Sequence, residues 1–322
     1  MATLEQNKQL SQLELVRREH NGEGLYIAKK LQKNAMCKDA PWDEANSYFS
    51  DKSTKWDELP TPTHRLTGNG IDESAGVTKP IDEKITLLDA MSVADKKLVE
   101  VANDKEKFRN GECDMHIEGI ARQWGTDVIY GDTSTEPAAI DGLHTRYQDL
   151  SLENVWSGGG SGSDLTSLFI VEWDVQSGMC FIYPKGSMAG IDHDDLGLDI
   201  FTGHNSKKMR GYGDYFECHF GIRIKLDEAV QRICNIESAG SSNTLDYLDI
   251  IDARNELPNL GEDGNAVIYV NRTLKGQFDK LAIDKSNAFY TGKDVWGAPV
   301  TMFQNMQVRL MEAIVDTESA IS

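Results

Sequence analysis

The chain has 322 residues, of which 39% are hydrophobic and 26% are charged, and its formal net charge is −19. This length allows one large domain or two ordinary ones, and the composition is typical of a globular protein. The strongly acidic balance argues against a nucleic-acid-binding protein, because affinity for phosphate groups comes from clustered Lys and Arg.

The sequence shows no targeting or membrane segment. Its first stretch, MATLEQNKQL, is polar, unlike a secretory signal peptide, and no apolar run approaches the ~18 residues of a membrane-spanning helix. The cysteines form no CxxC pair, which argues against a zinc knuckle or a redox dithiol. We therefore expect free thiols in a protein that is made and folds in a cytoplasm. The cysteines are Cys37, Cys113, Cys180, Cys218 and Cys234.

The first 41 residues differ in charge from the rest of the chain. They contain seven basic and five acidic residues, which gives +2 for this segment and leaves −21 for the remainder. Apolar spacing predicts one short helix through Leu4, Leu10, Leu13 and Val16, and a second over 25–34. Ala40-Pro41 closes the second helix, because a residue before proline avoids the helical region.

Residues 42–88 are polar and contain three of the eight prolines, Pro60, Pro62 and Pro80. Such a segment cannot build a core of its own, so it is either a disordered insert or a long two-stranded arm that leans on other structure. Asn69-Gly70 is a hairpin-turn signal between strand-like flanks, and it favours the arm.

The strongest predicted helix covers residues 105–130, after a shorter helix over 91–101. Its apolar residues recur at steps of three and four, which places them on one face. They are Cys113, Ile117, Ile120, Ala121, Trp124 and Val128. At 1.5 Å per residue the helix is roughly 39 Å long, and Gly131 is expected to end it.

The second half of the chain is rich in predicted strands. Residues 167–173 and 179–183 flank a turn and predict a hairpin, while 216–226 alternate apolar and polar residues over eleven positions, which predicts an antiparallel strand with 229–236 as its partner. Further strands are expected over 266–270, 299–302 and 307–315, and helices over 245–257 and 274–282. The pattern lacks a βαβ rhythm and predicts an α+β fold.

The run Asp192, His193, Asp194 and Asp195 raises the question of a metal site, with His204 as a further donor. Carboxylates and imidazole bind Mg, Mn or Zn, but adjacent residues in a strand or turn point apart and rarely converge on one ion. The alternatives are a solvated turn and a contact with another chain. A metal-dependent hydrolase centred on Asp192, His193 and Asp195 stays open as an alternative function.

Other catalytic patterns are missing from the sequence. It has no GxSxG nucleophile elbow, and the glycine-rich stretch GGGSGSD (158–164) lacks the Lys-Ser/Thr ending of a phosphate-binding loop. We therefore expect no catalytic residue, cofactor or metal. The long helix, the arm and the patterned strands favour a structural protein that assembles with neighbours, and a sugar-binding tail protein is a further alternative.

Stretches spread over most of the chain resemble the major capsid proteins of short-tailed, double-stranded DNA phages, a group that shares the tailed-phage capsid fold with encapsulins and herpesvirus shells. The order and spacing of these stretches carry the resemblance. They are LPTPTHRLTGNGIDES (59–74), Phe108-Arg109 with Glu112, IYGD (129–132), GLHTRY (142–147), GGSGSDLTSLFIVEW (159–173), YPKGSMAG (183–190), HDDLG (193–197), VQRICNIE (230–237), YVNRT (269–273), VR (308–309) and TE (317–318).

The resemblance implies a domain organisation. Residues 1–41 would be the N-terminal arm, and 42–88 the extended loop that reaches over a neighbouring subunit. Residues 89–238 and 298–322 would form the peripheral domain with the spine helix 105–130. Residues 239–297 would be the axial domain, and the Asp192–Asp195 run would belong to a structural hairpin and loop.

The resemblance also implies a function, which is to assemble hexamers and pentamers into an icosahedral shell around packaged double-stranded DNA, without catalysis. An encapsulin-like enzyme compartment is the alternative with the same fold. The implied partners are copies of the chain and scaffolding, portal and decoration proteins, and the implied location is the virion, assembled in the host cytoplasm. Contacts are expected to be non-covalent. The candidate interface residues are Arg17, Arg18, Trp56, Arg65 and Lys79.

Overall fold

The computed structural model describes residues 34–102, 104–203, 206–239, 242–260, 265–283, 289–293 and 299–321. The two helices expected within residues 4–34 lie almost wholly outside this range. The described helices are α1 (Met36–Asp39), α2 (Lys96–Val101), α3 (Lys105–Tyr130), α4 (Leu143–Arg146), α5 (Tyr247–Asn255) and α6 (Arg272–Ile283). The described strands are β1 (Trp42–Glu44), β2 (Ser50–Glu58), β3 (Val77–Asp95), β4 (Val155–Ser157), β5 (Leu165–Glu172), β6 (Met179–Tyr183), β7 (Asp192–Thr202), β8 (Lys208–Ile224), β9 (Val230–Glu237), β10 (Ala266–Val270), β11 (Phe289–Lys293), β12 (Pro299–Phe303) and β13 (Met306–Leu310).

The strands form two sheets, which confirms the predicted α+β class. A seven-stranded sheet has the order β11-β12-β13-β10-β5-β9-β4, and a six-stranded sheet has the order β1-β6-β8-β3-β2, with β7 also paired to β8. No helix among the described residues is long and apolar enough to cross a membrane.

The seven-stranded sheet is buried at its centre. Every residue of β5 and β10 is buried, as is all of β9 except its last residue. Such continuous apolar strands are typical of a sheet covered on both faces. On one face, α5 and α6 contribute Ile250, Leu274 and Phe278 to a core cluster with Ile170 and Ile268.

A buried ion pair ties the end of the chain to this sheet. Arg232 of β9 is fully buried and donates to Glu318 Oε2 at 3.0 Å, to Ser167 Oγ at 2.8 Å and to the backbone oxygen of Tyr147 at 2.7 Å. Glu318 also accepts the Tyr130 hydroxyl at 2.5 Å and bridges backbone to Leu165. These hydrogen bonds and the ion pair compensate the two buried charges. Without such partners, burial of either charge would be strongly unfavourable.

The long helix α3 has the bounds that the sequence predicts. The Asp104 carboxylate accepts the backbone N–H groups of Glu106 and Lys107 at 3.1 and 3.0 Å, which caps its first turn. Gly131 ends it where the chain passes so close to the Ile140 carbonyl that a Cβ would lie 2.3 Å from that oxygen. The predicted apolar face is only partly buried, since Ile117 remains exposed.

The main core cluster lies between α3 and the two sheets. Ile120, Trp124 and Val128 of the helix pack there with Phe181 and Phe220 of the six-stranded sheet. The indole ring of Trp124 meets Phe181 edge-on with ring centroids 5.1 Å apart. Both sheets therefore depend on the same helix for their burial.

Several predictions of strand pairing were wrong. Strands β5 and β6 flank a turn but enter different sheets, and only an isolated bridge joins Trp173 to Met179. Strand β9 pairs with β5 and β4, not with the alternating strand β8 before it. Alternation of side chains predicts which residues are buried, but it does not say which strand lies alongside.

Other segments differ in type or length from the prediction. Residues 91–95 continue β3, and the helix begins only at Lys96, because this end of β3 pairs with β8 through Asp95. The predicted strand over 307–315 ends at Leu310. The Asp192–Asp195 run, which the simplest interpretation made a solvated turn, begins the eleven-residue strand β7.

Candidate assembly surfaces

The first surface is the extended loop, residues 42–88, whose hairpin stem is built from β2 and the first half of β3. Register pairs run from Ser50 opposite Lys84 to Glu58 opposite Val77. Beyond the stem, every residue of 59–76, which we name the loop tip, is exposed. Three of its apolar side chains are Leu59, Leu66 and Ile71, with exposed fractions of 71%, 76% and 64%. Exposed apolar side chains that share one projecting segment are candidates for burial against another chain.

Ion pairs hold the base of the extended loop. Arg223 of β8, almost fully buried, binds Asp51 of β2 at 3.1 Å and also binds Asp43. Arg146 of α4 makes two hydrogen bonds to the Glu83 carboxylate, at 2.8 and 2.5 Å. Fork-shaped pairs of this kind fix direction as well as distance. The base is therefore fastened to the body of the protein, while the tip has no contact that fixes it among the described residues.

The structure places three of the five predicted interface residues on the extended loop and leaves two outside its description. Arg65 is exposed in the loop tip, and Lys79 is exposed in β3, directly opposite Lys55. Lys55 pairs with Asp227 at 2.6 Å, whereas Lys79 has no ion pair within the described part of the chain. Trp56 lies in β2 opposite Thr78. Arg17 and Arg18 precede the described residues.

A second hairpin, formed by β7 and β8, leaves the same sheet. Strand β7 pairs only with β8 among the described strands, so its other edge is free. A bulge at Asp195–Gly197 interrupts the pairing, and Gly197 takes a positive φ of 65° there, which glycine adopts without strain. The apolar side chains Leu196, Leu198 and Ile200 are exposed. This is a second edge that another chain can cover.

An open apolar groove separates α3 from β3. Its volume is about 270 Å³. The lining residues include Leu88 and Ala90 of the strand and Met115, His116 and Ile120 of the helix.

The carboxylates of the Asp192–Asp195 run do not converge. The Asp192 carboxylate accepts the backbone N–H of His193 at 2.9 Å, and strand alternation places Asp192 and Asp194 on the face opposite to His193 and Asp195. The predicted trio of Asp192, His193 and Asp195 is therefore not a metal-ligand set. His204, the further donor, lies outside the described residues.

His193 and Asp195 instead meet residues from distant parts of the sequence at the junction of α3, β7 and β8. Arg109 of α3 donates from one Nη2 to Asp195 at 2.8 Å and to Asp214 at 2.9 Å. His193 Nε2 lies 3.2 Å from the same Asp214 oxygen. Cys113, one helical turn after Arg109, completes a group that we name the junction cluster: Arg109, Cys113, His193, Asp195 and Asp214.

The electrostatics of the junction cluster favour a fastening role. The hydrogen bond from Arg109 lowers the pKa of Asp195, which keeps this carboxylate charged. Burial, and then the charge of Asp214, raises the pKa of Cys113 to about 11, so the isolated thiol stays protonated at neutral pH. The sequence analysis missed Arg109 and Asp214 because they lie 105 residues apart. The only local signal is that Arg109 and Cys113 share one face of a predicted helix.

Comparisons with known proteins found a matching family and similar solved structures. The family model described as Major capsid protein GP7 matches residues 19–322. A chain in the structure of Bacteriophage Epsilon15 is 28% identical with a TM-score of 0.70, and the match covers 99% of both chains. A chain of the Bacteriophage JBD30 capsid is 12% identical with a TM-score of 0.52, covering 90% of this chain and 94% of that one. A comparison with curated proteins found no match.

Proposed function

Because the chain belongs to the major capsid protein GP7 family, and is thus the structural protein of a bacteriophage's icosahedral shell, we propose how its copies join. The chain has the tailed-phage capsid fold, as its likeness to phage capsid chains shows. We propose that copies form hexamers and pentamers, that the loop tip lies over a neighbouring subunit, and that contacts between subunits are non-covalent.

The observation that carries this proposal is the contrast within the extended loop. Its base is held by buried ion pairs through Arg223 and Arg146, and its tip presents exposed Leu59, Leu66 and Ile71. Burial of a leucine or isoleucine side chain stabilises by about 1.5–3 kcal/mol relative to exposure. A contact repeated at every subunit of a shell adds such modest contributions through multivalency.

The proposed domain organisation follows the family resemblance. Residues 1–41 form an N-terminal arm, 42–88 the extended loop, 89–238 and 298–322 the peripheral domain around α3, and 239–297 the axial domain. Trp56, Arg65 and Lys79 are candidate contacts of the extended loop. Arg17 and Arg18 are candidate contacts of the slightly basic arm with acidic surface on a neighbour or on a scaffolding protein.

The charge of the chain suits a container for DNA. At −19, it repels a polyanion, which lowers non-specific binding of a genome that must slide in and out. We propose that the shell is assembled in the host cytoplasm with scaffolding, portal and decoration proteins, and that it encloses double-stranded DNA without sequence-specific binding. An enzyme-filled compartment is disfavoured, because the family and the 28% identical chain are both of phage origin.

Electron microscopy of particles tests the role of the loop tip. Wild-type protein and the double variant Leu66→Ser/Ile71→Ser are expressed with the phage's own assembly partners and imaged in negative stain. We expect closed shells from the wild type, and only capsomers or free subunits from the variant, because apolar cover of a neighbour is lost.

A matched control separates the loop tip from exposed apolar residues in general. Val101, 70% exposed at the end of α2, lies outside the extended loop, and Val101→Ser is expected to assemble normally. Normal shells from the double variant would show that the loop tip is dispensable. Absence of any particle from wild type, under all conditions, would contradict the proposed assembly.

A further inference from the structure

Three side chains with metal-binding atoms meet in the junction cluster. The Cys113 sulphur, a ring nitrogen of His193 and a carboxylate oxygen of Asp214 all lie within 4.8 Å of one another, and no other such group of three occurs among the described residues. They come from α3 and from the hairpin of β7 and β8, which follows much later in the sequence. We propose that this trio binds one zinc ion.

The donor set selects zinc over the common hard cations. A thiolate and an imidazole are zinc ligands, whereas Mg²⁺ and Ca²⁺ take oxygen ligands. With bonds of about 2.0–2.3 Å, two ligands of a tetrahedral zinc ion lie about 3.3 Å apart. The 3.2 Å between His193 Nε2 and Asp214 Oδ1 already fits this spacing. Water would fill the fourth position.

The ligands are held on rigid elements before any ion arrives. The imidazole of His193 stacks on Phe216, with ring centroids 4.6 Å apart and an interplanar angle of 10°. Phe216 is also its register partner on β8 and is fully buried. Asp214 lies on the same strand with its side chain almost fully buried, whereas the His193 side chain is 43% exposed, which gives an ion a path from solvent.

Arg109 is compatible with a bound cation. Zinc would bring two positive charges, and the Cys113 thiolate and the carboxylates of Asp195 and Asp214 would supply three negative ones, which leaves one for the guanidinium to neutralise. Arg109 donates to Asp214 Oδ1, the oxygen that also lies near His193, and a carboxylate oxygen has two lone pairs, so Oδ1 can accept this hydrogen bond and bind zinc. Arg109 would then orient the ligand, as hydrogen-bond donors around metal sites commonly do.

A cysteine nucleophile is the rival interpretation of the same residues, and the geometry disfavours it. His193 Nε2 already lies against Asp214, so this nitrogen is not directed to the thiol alone as a general base would be. The consequence of zinc is mechanical: one ion would fasten the second hairpin to α3. This inference stands apart from the proposed contacts of the loop tip.

Metal binding to the purified, full-length protein tests the inference. Protein is loaded with Zn²⁺ or Co²⁺ and dialysed, the metal is measured by mass spectrometry, and the cobalt form is examined for a thiolate-to-metal absorption band. Wild type is expected to retain about one metal ion per chain. Cys113→Ser and His193→Gln are each expected to weaken binding roughly tenfold or more, and Cys113→Ser to abolish the band.

Two control variants keep the test specific. Cys37→Ser removes an exposed thiol on α1, and Asp194→Asn removes a carboxylate of β7 on the face away from the cluster. Both are expected to bind metal as wild type does. The inference is overturned if wild type retains no metal, or if His193→Gln and Cys113→Ser retain as much as the controls. His193 is partly exposed, so its variant is expected to fold even where the Cys113 variant does not.

Discussion

The two sheets of this protein differ in how completely the chain itself covers them. The central strands of the seven-stranded sheet are buried throughout, and its one buried arginine finds a carboxylate, a hydroxyl and backbone carbonyls within the same chain. The six-stranded sheet shares the core under α3 but extends into two hairpins whose far ends are exposed. Burial is thus more complete in the seven-stranded sheet, and the six-stranded sheet has the larger exposed surface.

The largest expected effect comes from breaking the buried ion pair of the seven-stranded sheet. Arg232→Met leaves Glu318 as an uncompensated buried charge, which should cost about 3–5 kcal/mol of unfolding free energy. Chemical denaturation of the unassembled protein measures it. The pair Lys52–Asp82 of the six-stranded sheet is a control, since both side chains are well exposed and Lys52→Met should cost less than about 1 kcal/mol.

A double variant distinguishes the effect of the unpaired charge from a general failure to fold. Arg232→Met combined with Glu318→Leu removes both charges and should be more stable than Arg232→Met alone. Equal losses for Arg232→Met and Lys52→Met would show that burial does not decide how much an ion pair of this protein contributes to stability.

A smaller effect is expected where the extended loop joins the six-stranded sheet, because Asp51 keeps a hydrogen bond from the Asn46 backbone N–H and Asp43 is partly exposed. Arg223→Met removes the bonds to Asp43 and Asp51, and hydrogen bonds to charged groups contribute about 1.5–3 kcal/mol. We expect a comparable loss of stability and faster proteolysis within 42–88. Lys55→Met, which loses an exposed pair with Asp227, serves as control. Unchanged proteolysis of the Arg223 variant would show that the base is fastened by other contacts.

A matched pair of substitutions compares the sheets directly. Ile170 on β5 is fully buried, and Ile200 on β7 is 59% exposed. Ile170→Val should lower the unfolding free energy by about 1 kcal/mol, because it leaves a small cavity. Ile200→Val should change it by less than about 0.5 kcal/mol. Thermal unfolding of the unassembled protein measures both, and a larger loss for Ile200 would reverse the comparison.

The smallest effect is a pH dependence of stability that comes from His144 of α4. Burial, and then the charge of Arg232, lowers the pKa of His144 below its ordinary value of 6.5. The His144 side chain is therefore protonated near pH 6.5 in the unfolded chain, but only at a lower pH in the folded protein. This contribution to stability is fully present above pH 6.5 and declines as the pH falls below it. His144→Gln should flatten the stability curve between pH 7 and 5, measured by denaturation.

The exposed His64 of the loop tip provides the control for this pH dependence. His64→Gln should leave the curve unchanged. If both variants flatten the stability curve equally, the pH dependence is not specific to His144.

Local signals in the sequence predicted single elements better than their partners. Helix α3 was predicted at its observed bounds from its apolar spacing and its terminal Gly131, and the structure adds the Asp104 cap. Strand β10 was likewise predicted over 266–270. The sheet to which β6 or β9 belongs depends on contacts across the whole molecule, and the alternation of residues contains no information about them.

The extended loop and the junction cluster likewise show that local signals predict single elements better than their partners. The turn signal at Asn69-Gly70 and the lack of apolar residues predicted a two-stranded arm, and β2 and β3 form its stem. The turn itself lies two residues earlier, at Thr67-Gly68, and the paired strands end well short of it, at Glu58 and Val77. The acidic run drew attention to His193, but the carboxylate that meets it, Asp214, lies 21 residues away on β8. No spacing rule predicts a partner that is brought near by a strand bulge and a helix from elsewhere.

The bridge between Leu165 and Glu318 has a consequence for the order of synthesis. A ribosome releases β5 and β9 long before it reaches Glu318, so Arg232 must wait for its carboxylate through the translation of more than eighty further residues. During this time the arginine that later lies in the sheet's interior requires water. The buried arginine of the seven-stranded sheet therefore obtains its carboxylate only near the end of translation, after both hairpins of the six-stranded sheet have been translated.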